Sequence, residues 1–370
     1  MKHYAFKVKQ NQMVNTNQPI PINLGSKPRT ILLCVFALVV FQLHAFGGNR
    51  YGKAVISGQV VGNVPQWLQF TMPVNGVAYE GFFETVEIDS LGRFTILLET
   101  EKPVLVKFMF RDSPSFIVEP NIQYDLILNV SLNHTVTFGG DISEIQQFYN
   151  SLIHSHPRSC IFTIGTQNVA EYVAKGKELD TMLQQELDMF EEIFQNGKIS
   201  RDVYSLLVAD RTVYFNTAKA VMASMNFSNV VSAGGLASDA LMGVWADAAS
   251  WAMADNPFLL HAIYAYEYLL MTLWYHLYAT HSFEDIAAIR AERRSQQTIH
   301  SHTIEVASEL FSGNILEFFT AAYLHQQYLR NSFGQDLVAV FEQFKANYPK
   351  SKYTRFLTPL MARANAIVEK

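Results

Sequence analysis

The sequence predicts an α+β protein, an antiparallel β-sandwich followed by an all-α region, on three observations. Short alternating apolar segments fill Tyr51 to Gly140, helical spacing takes over after Asp141, and turn-forming residues separate the segments of the first part. The chain has 370 residues, 49% hydrophobic and 13% aromatic, enough for a sizeable core, which excludes wholesale disorder.

The first 45 residues read as an export signal. Thr30 to Phe46 is an apolar run preceded by Lys27 and Arg29, and no acidic residue occurs before Glu80. Its uninterrupted part, Ile31 to Phe41, falls short of the roughly 20 residues a spanning helix needs. Leu43-His44-Ala45 offers a cleavage site, so the mature chain is expected to start near Phe46 in the periplasm or envelope. Cys34 sits inside the apolar run after Leu33, which argues against a lipid anchor there, and Met13 would serve as an alternative start. Removing residues 1–45 takes away five of the 28 basic residues and no acid, leaving 23 against 33 acids, a balance of −10. That balance argues against nucleic acid as a partner. One cysteine remains, Cys160, expected as a buried thiol, so no intrachain disulfide and no C-x-x-C pair can form.

Along the β region the expected strands are Ala54–Val60, Trp67–Met72, Thr85–Ile88, Phe94–Leu98, Val104–Phe110, Phe116–Val118, Tyr124–Asn129 and Thr135–Phe138. Asp89-Ser90-Leu91-Gly92 is the clearest turn, with a glycine able to take the positive φ of a tight hairpin. In the helical region, 141–370, Leu179, Met182, Leu183, Leu187, Phe190 and Phe194 share one helix face. Further helices are expected over about 199–226, 236–253, 257–280, 283–312, 314–331, 335–348 and 352–369, with Asn256-Pro257 starting the third. That helix carries a 22-residue apolar stretch, but Glu267 at its centre and its tyrosines and histidines favour a buried core helix over a membrane span.

The phrases VEIDSLGRFTILLE (86–99), SFIVEPNIQYDLILN (115–129) and VTFGGDISEIQQFYNSL (136–152) resemble the N-terminal β-domain of TlpA-like thiol-disulfide oxidoreductases of Gram-negative envelopes. FEQFKANYPKSKYTRFLTPLM (341–361) resembles the end of their helical linker, just before the thioredoxin domain. Glu119-Pro120-Asn121-Ile122 departs from the Pro-Gly-Asp that usually stands there. The resemblance implies a β-domain and helices without the redox domain, and no catalytic residue carries over, because the family's C-x-x-C has no counterpart.

No catalytic, cofactor-binding or metal-ligating residue stands out. The tetrapeptide IHSH occurs twice, at 153–156 and 299–302. His154 and His156 lie at a helix end, while His300 and His302 diverge by about 200° around a later helix, so the four read as helix-end and surface histidines, with no common zinc site. No G-x-S-x-G elbow appears, and Gly234-Gly235 lacks the rest of a phosphate loop. Glu191-Glu192 reads as a solvated helix face, and Trp67, Trp245, Trp251 and Trp274 more often fill a core than line a glycan groove. The leading functional expectation is a non-catalytic envelope recognition, docking or scaffold module with protein or peptide partners. The alternatives are a fragment of a thioredoxin-domain oxidoreductase and a glycan- or peptide-binding module.

Overall fold

The computed structural model describes residues 52–109, 115–131, 135–139, 144–160, 169–235, 237–251 and 258–369. The expected signal segment with Met13 and Cys34, the Asp141 boundary and the Asn256-Pro257 helix start lie outside the described residues, as does the side chain of Cys160. Eight strands occur among them: β1 Gly52–Val61, β2 Trp67–Thr71, β3 Phe83–Glu87, β4 Arg93–Thr100, β5 Val104–Lys107, β6 Ser115–Val118, β7 Gln123–Asn129 and β8 Thr135–Phe138. Ten α-helices follow: α1 Glu144–Ser151, α2 Val169–Gln195, α3 Arg201–Ser232, α4 Asp239–Ser250, α5 Ala265–Thr280, α6 Phe283–Ser295, α7 Ile299–Leu310, α8 Gly313–Leu329, α9 Gln335–Asn347 and α10 Thr354–Val368. The α+β class therefore holds.

One layer of the β region is a four-stranded sheet in the order β4-β1-β7-β8. Strict alternation in β4 turns Phe94, Ile96 and Leu98 inward and Arg93, Thr95, Leu97 and Glu99 outward. The other layer consists of the β2–β3 and β5–β6 ladders, set side by side by a bridge between Phe70 and Phe108. Ile56, Phe70, Ile96, Phe108, Phe116 and Leu126 share the core between the layers. One pairing departs from the antiparallel pattern: β1 runs parallel to β7, with Gln59 opposite Ile127. Five strands intervene between these two, so no tight turn has to join them. The Asp89–Gly92 turn forms as expected, with Gly92 at φ +80° and the Asp89 carboxylate accepting the Leu91 and Arg93 N–H groups.

β5 and β6 are buried on both faces because they lie between the sandwich and the helices. Val104, Val106, Phe116 and Val118 face the sandwich core, whereas Leu105 and Ile117 pack with Ile145, Tyr149, Leu206 and Leu207 of the helices. Each such fully buried aliphatic contributes roughly 1.5–3 kcal/mol. Gln146 of α1 accepts the Ile117 N–H at 3.0 Å, which occupies a backbone donor of a strand that would otherwise be an open edge.

A second tie is the β2–β3 connection. Loops normally cover a surface, yet Val74, Val77, Tyr79 and Phe82 belong to the main helical core with Leu259, Tyr266, Phe318 and Tyr353. The segment satisfies its own backbone through a Val74–Val77 bridge, Phe82 N–H to the Tyr79 carbonyl and Met72 N–H to the Phe82 carbonyl. Gly81 is required by close approach: a Cβ there would stand 2.4 Å from Tyr79 Cε1 and 2.5 Å from His325 Nδ1. Tyr51–Lys370 accordingly form one compact unit.

Two expected helices are corrected. The helix expected over 257–280 begins only at Ala265, after a 3₁₀ turn at Leu259–His261. The Ile263 N–H is spent on the Asp210 carboxylate at 3.1 Å instead of a helical carbonyl. The helix expected over 283–312 breaks at Gln297, φ +53°, into α6 and α7. No side chain of its own caps α7; Asp336 of α9 accepts the N–H groups of His300 at 2.6 Å and Ser301 at 3.2 Å. The apolar face of α2 is buried as its spacing implies, with Leu179, Phe190 and Ile193 innermost.

Candidate functional site

The buried β2–β3 connection also forms one wall of a cleft of about 390 Å³. Tyr79 and Glu80 come from that connection, His156 and Arg158 from the 3₁₀ turn Pro157–Cys160 and the residue before it. Tyr264, Tyr266 and Glu267 come from the start of α5, and Gln326 and Arg330 from the end of α8.

Glu267 is the electrostatic centre. Its side chain is only 12% exposed, with one carboxylate oxygen 2.8 Å from His156 Nε2 and the other 2.6 Å from Arg158 Nε. Burial alone would raise its carboxyl, but the hydrogen bond and charge of His156, then those of Arg158, outweigh it and hold it below the usual carboxylate range. Glu80 is paired with Lys107 at 2.5 Å, and the Lys107 ammonium stands 6.0 Å from the centre of the Tyr264 ring. Arg330 makes no ion pair among the described residues.

The tyrosines are held as neutral phenols. Burial pushes the Tyr79 and Tyr264 hydroxyls far above their ordinary value. Gln326 Nε2 donates to the Tyr79 hydroxyl at 3.0 Å, and the Tyr264 hydroxyl donates to the His154 carbonyl at 3.3 Å. With both acids ion-paired, the unpaired charge among the described residues lining the cleft is the Arg330 guanidinium, one helical turn from the Gln326 amide. Such a pair can hold a carboxylate.

Behind the cleft lies a buried polar network that fixes its floor. The Tyr149 hydroxyl donates to Asp210 at 2.9 Å, and Arg211, 1% exposed, makes a two-point ion pair with Glu186 and donates to the Ile153 carbonyl at 3.1 Å. His154 Nε2 lies 2.7 Å from the Tyr149 carbonyl. The chain from Ile153 to Arg158 is thereby pinned from inside, with His154 turned in and His156 turned toward Glu267.

The reading of the IHSH histidines as helix-end and surface groups is corrected for two of them. His154 is largely buried, which brings its imidazole down to about 4, and His300 is buried with its Nδ1 2.8 Å from the Tyr323 hydroxyl. His156 lines the cleft, whereas His302 lines a different cavity. Among the described residues no group of three or more metal-capable side chains converges.

The other singled-out residues scatter. Trp245 is fully buried and Trp67 is 54% exposed. Trp67 and Phe83, the exposed rings of the β2–β3 ladder, stand at its opposite ends, about 13 Å apart at strand spacing, too far to form one stacking platform. Gly234, φ +77°, closes the C-terminus of α3, and Glu191 bonds Gln195 one turn on. A larger cavity of about 660 Å³ borders Glu99, Glu101, Lys102, His261, Lys352 and Arg355. Of its charges, Glu99 is tied to Lys53 and Arg355 to Glu84 at exposed positions, so it lacks the buried, convergent charge of the cleft.

In the sequence Glu267 argues only against a membrane span; its pairing with His156 and Arg158 spans over a hundred positions and has no local signature. A signal did exist for the cleft wall: VNGVAYEGFF between two strands is too apolar for a surface turn. Comparison with known proteins gives no matching family model, no matching curated protein and no matching solved structure. No helix among the described residues is long and apolar enough to cross a membrane.

Proposed function

We propose that the chain is an exported, non-catalytic recognition module whose cleft receives the carboxylate end of a short peptide segment. The observation that carries this reading is the unpaired Arg330 beside Gln326 in a cleft whose other charges are already neutralised in pairs. A ligand carboxylate is the group that completes the set, while the phenols of Tyr79, Tyr264 and Tyr266 offer ring surface for the adjoining residue. The described lining holds no serine or cysteine nucleophile, and its most buried acid is held below the usual carboxylate range between His156 and Arg158, which favours binding over acid–base chemistry.

Size agrees. An apolar protein cavity of roughly 150 Å³ accommodates benzene, so about 390 Å³ suits one to two amino-acid residues. Export is part of the reading on the Lys27-to-Ala45 pattern, as is a relation to the non-redox part of TlpA-like oxidoreductases, for which a β region preceding helices speaks. N-terminal sequencing of the envelope fraction tests export: a mature end near Phe46 is expected, and an intact 30–46 segment would oppose it. Binding is tested by equilibrating the protein with random tetrapeptides bearing free or amidated C-termini. Selective retention of the free acids supports the reading, and equal retention, or none, overturns it.

A further inference from the structure

A second enclosed space lies between α5, α6 and α7, separate in its lining from the cleft. Leu273, Leu277, Ile286, Ile289 and Val306 surround about 260 Å³, with Trp274 at one side. Arg290 lies over the Trp274 ring, its guanidinium carbon 4.7 Å from the ring centre. Arg290 makes no ion pair among the described residues, and Glu309, exposed, is the one acid among the lining residues described. The remaining polar lining is His276, His281, His302 and Thr303, so basic and neutral groups face an apolar interior. His302 Nδ1 is itself buried without a hydrogen bond, the nearest Glu305 oxygen standing 3.6 Å away.

We propose that this space binds a small monocarboxylate with an apolar body, its carboxylate on Arg290 and its hydrocarbon among Leu273, Leu277, Ile286 and Val306. A half-buried guanidinium with one aromatic face and no counter-ion has lost hydration without recovering it in an ion pair. Burial first, and the like charge of Arg294 next, push Arg290 down from its ordinary value, the mark of a cation short of an anion. A carboxylate restores the missing partner with charge-assisted hydrogen bonds. An amine meets Arg290 and Arg294 as like charges, and an alcohol leaves Arg290 unpaired. Volume sets the body: since roughly 150 Å³ holds the six carbons of benzene, this space holds about ten non-hydrogen atoms, the size of octanoate or phenylacetate.

Calorimetric titration of the full chain with octanoate, octan-1-ol and octylamine at neutral pH tests the assignment. Octanoate is expected to bind one per chain at least about 10-fold more tightly than octan-1-ol, with octylamine weaker than both. Arg290→Met should lower octanoate affinity by about 10-fold or more and leave octan-1-ol unchanged, and Arg290→Lys should keep part of the preference. If Arg290→Met fails to fold by circular dichroism, the acid-to-alcohol ratio on the unmodified chain decides alone. Equal affinity for acid and alcohol, no saturable octanoate binding below about 1 mM, or a preference surviving in folded Arg290→Met would overturn the proposal.

Discussion

The Gln326 amide donates to the Tyr79 hydroxyl at 3.0 Å across 247 sequence positions, joining the β2–β3 connection to α8. The Tyr79 ring also packs edge-on to Phe82 at 4.9 Å and Phe318 at 5.8 Å. Through this contact one loop serves both the helical core and the cleft wall. Tyr79→Phe keeps the ring and loses the hydroxyl bonds, so urea denaturation should show a loss of about 1 kcal/mol. Tyr79→Ala should cost about 3–5 kcal/mol. Equal losses from both variants would mean the ring does not carry the packing.

Gly81 makes a sharper case. A methyl group there would overlap Tyr79 and His325, so Gly81→Ala should destabilise the fold by about 1–3 kcal/mol and weaken any ligand of the cleft. A neutral effect in denaturation would show that the connection is not packed as described.

The cap on α7 is supplied from another helix. Asp336 accepts from His300 N–H and Ser301 N–H and also bonds the Ser301 hydroxyl. Asp336→Ala should therefore cost about 1–2 kcal/mol, as loss of a strong N-cap does. Thr298, the residue at the N-cap position, makes no capping bond, and Thr298→Ala should stay within about 0.5 kcal/mol. Denaturation of the two variants side by side distinguishes a remote cap from a local one.

That cap explains what was and was not legible in the sequence. Eight strands follow from alternation and turn residues, because both are local, and the α2 face follows from 3.6-residue spacing. The break at Gln297 has neither glycine nor proline to announce it, and its compensating acid, Asp336, lies 35 positions beyond Ser301, whose N–H it accepts. The late start of α5 depends in the same way on Asp210 taking the Ile263 N–H. The cleft is assembled entirely from such long-range pairs, so composition and motif reading pass over Glu267 and Arg330.

Acid sensitivity follows from three imidazoles. Burial brings His154, His261 and His325 down to about 4. A depressed folded value means that the folded state refuses protons the unfolded chain accepts. Stability is thus full above about pH 6.5 and is lost as pH falls from there toward 4, at up to about 2–3 kcal/mol per histidine. His325→Asn should flatten this loss by about one proton between pH 6.5 and 4.5, measured by denaturation at stepped pH. A stability flat from pH 7 to 4.5 would contradict the burial of these rings.

Metal should not enter. Replacing both His154 and His156 with alanine removes a buried ring and a partner of Glu267, so the expected loss of about 1–3 kcal/mol exceeds that of a surface change. It should be the same with zinc or with chelator present. A chelator effect on the unmodified chain that this double variant abolishes would reopen metal binding.

The most direct test of the account is the affinity of a single tetrapeptide selected from the free-acid pool, measured against its own C-terminal amide on the unmodified chain and on Arg330→Gln. Arg330 is exposed and unpaired among the described residues, so its replacement should leave the melting temperature alone. The free acid should bind about 10- to 100-fold more tightly than the amide, as a charge-assisted bond worth about 1.5–3 kcal/mol implies, and that preference should vanish in Arg330→Gln. A preference for the acid that survives in Arg330→Gln would contradict the assignment of the cleft as its binding site.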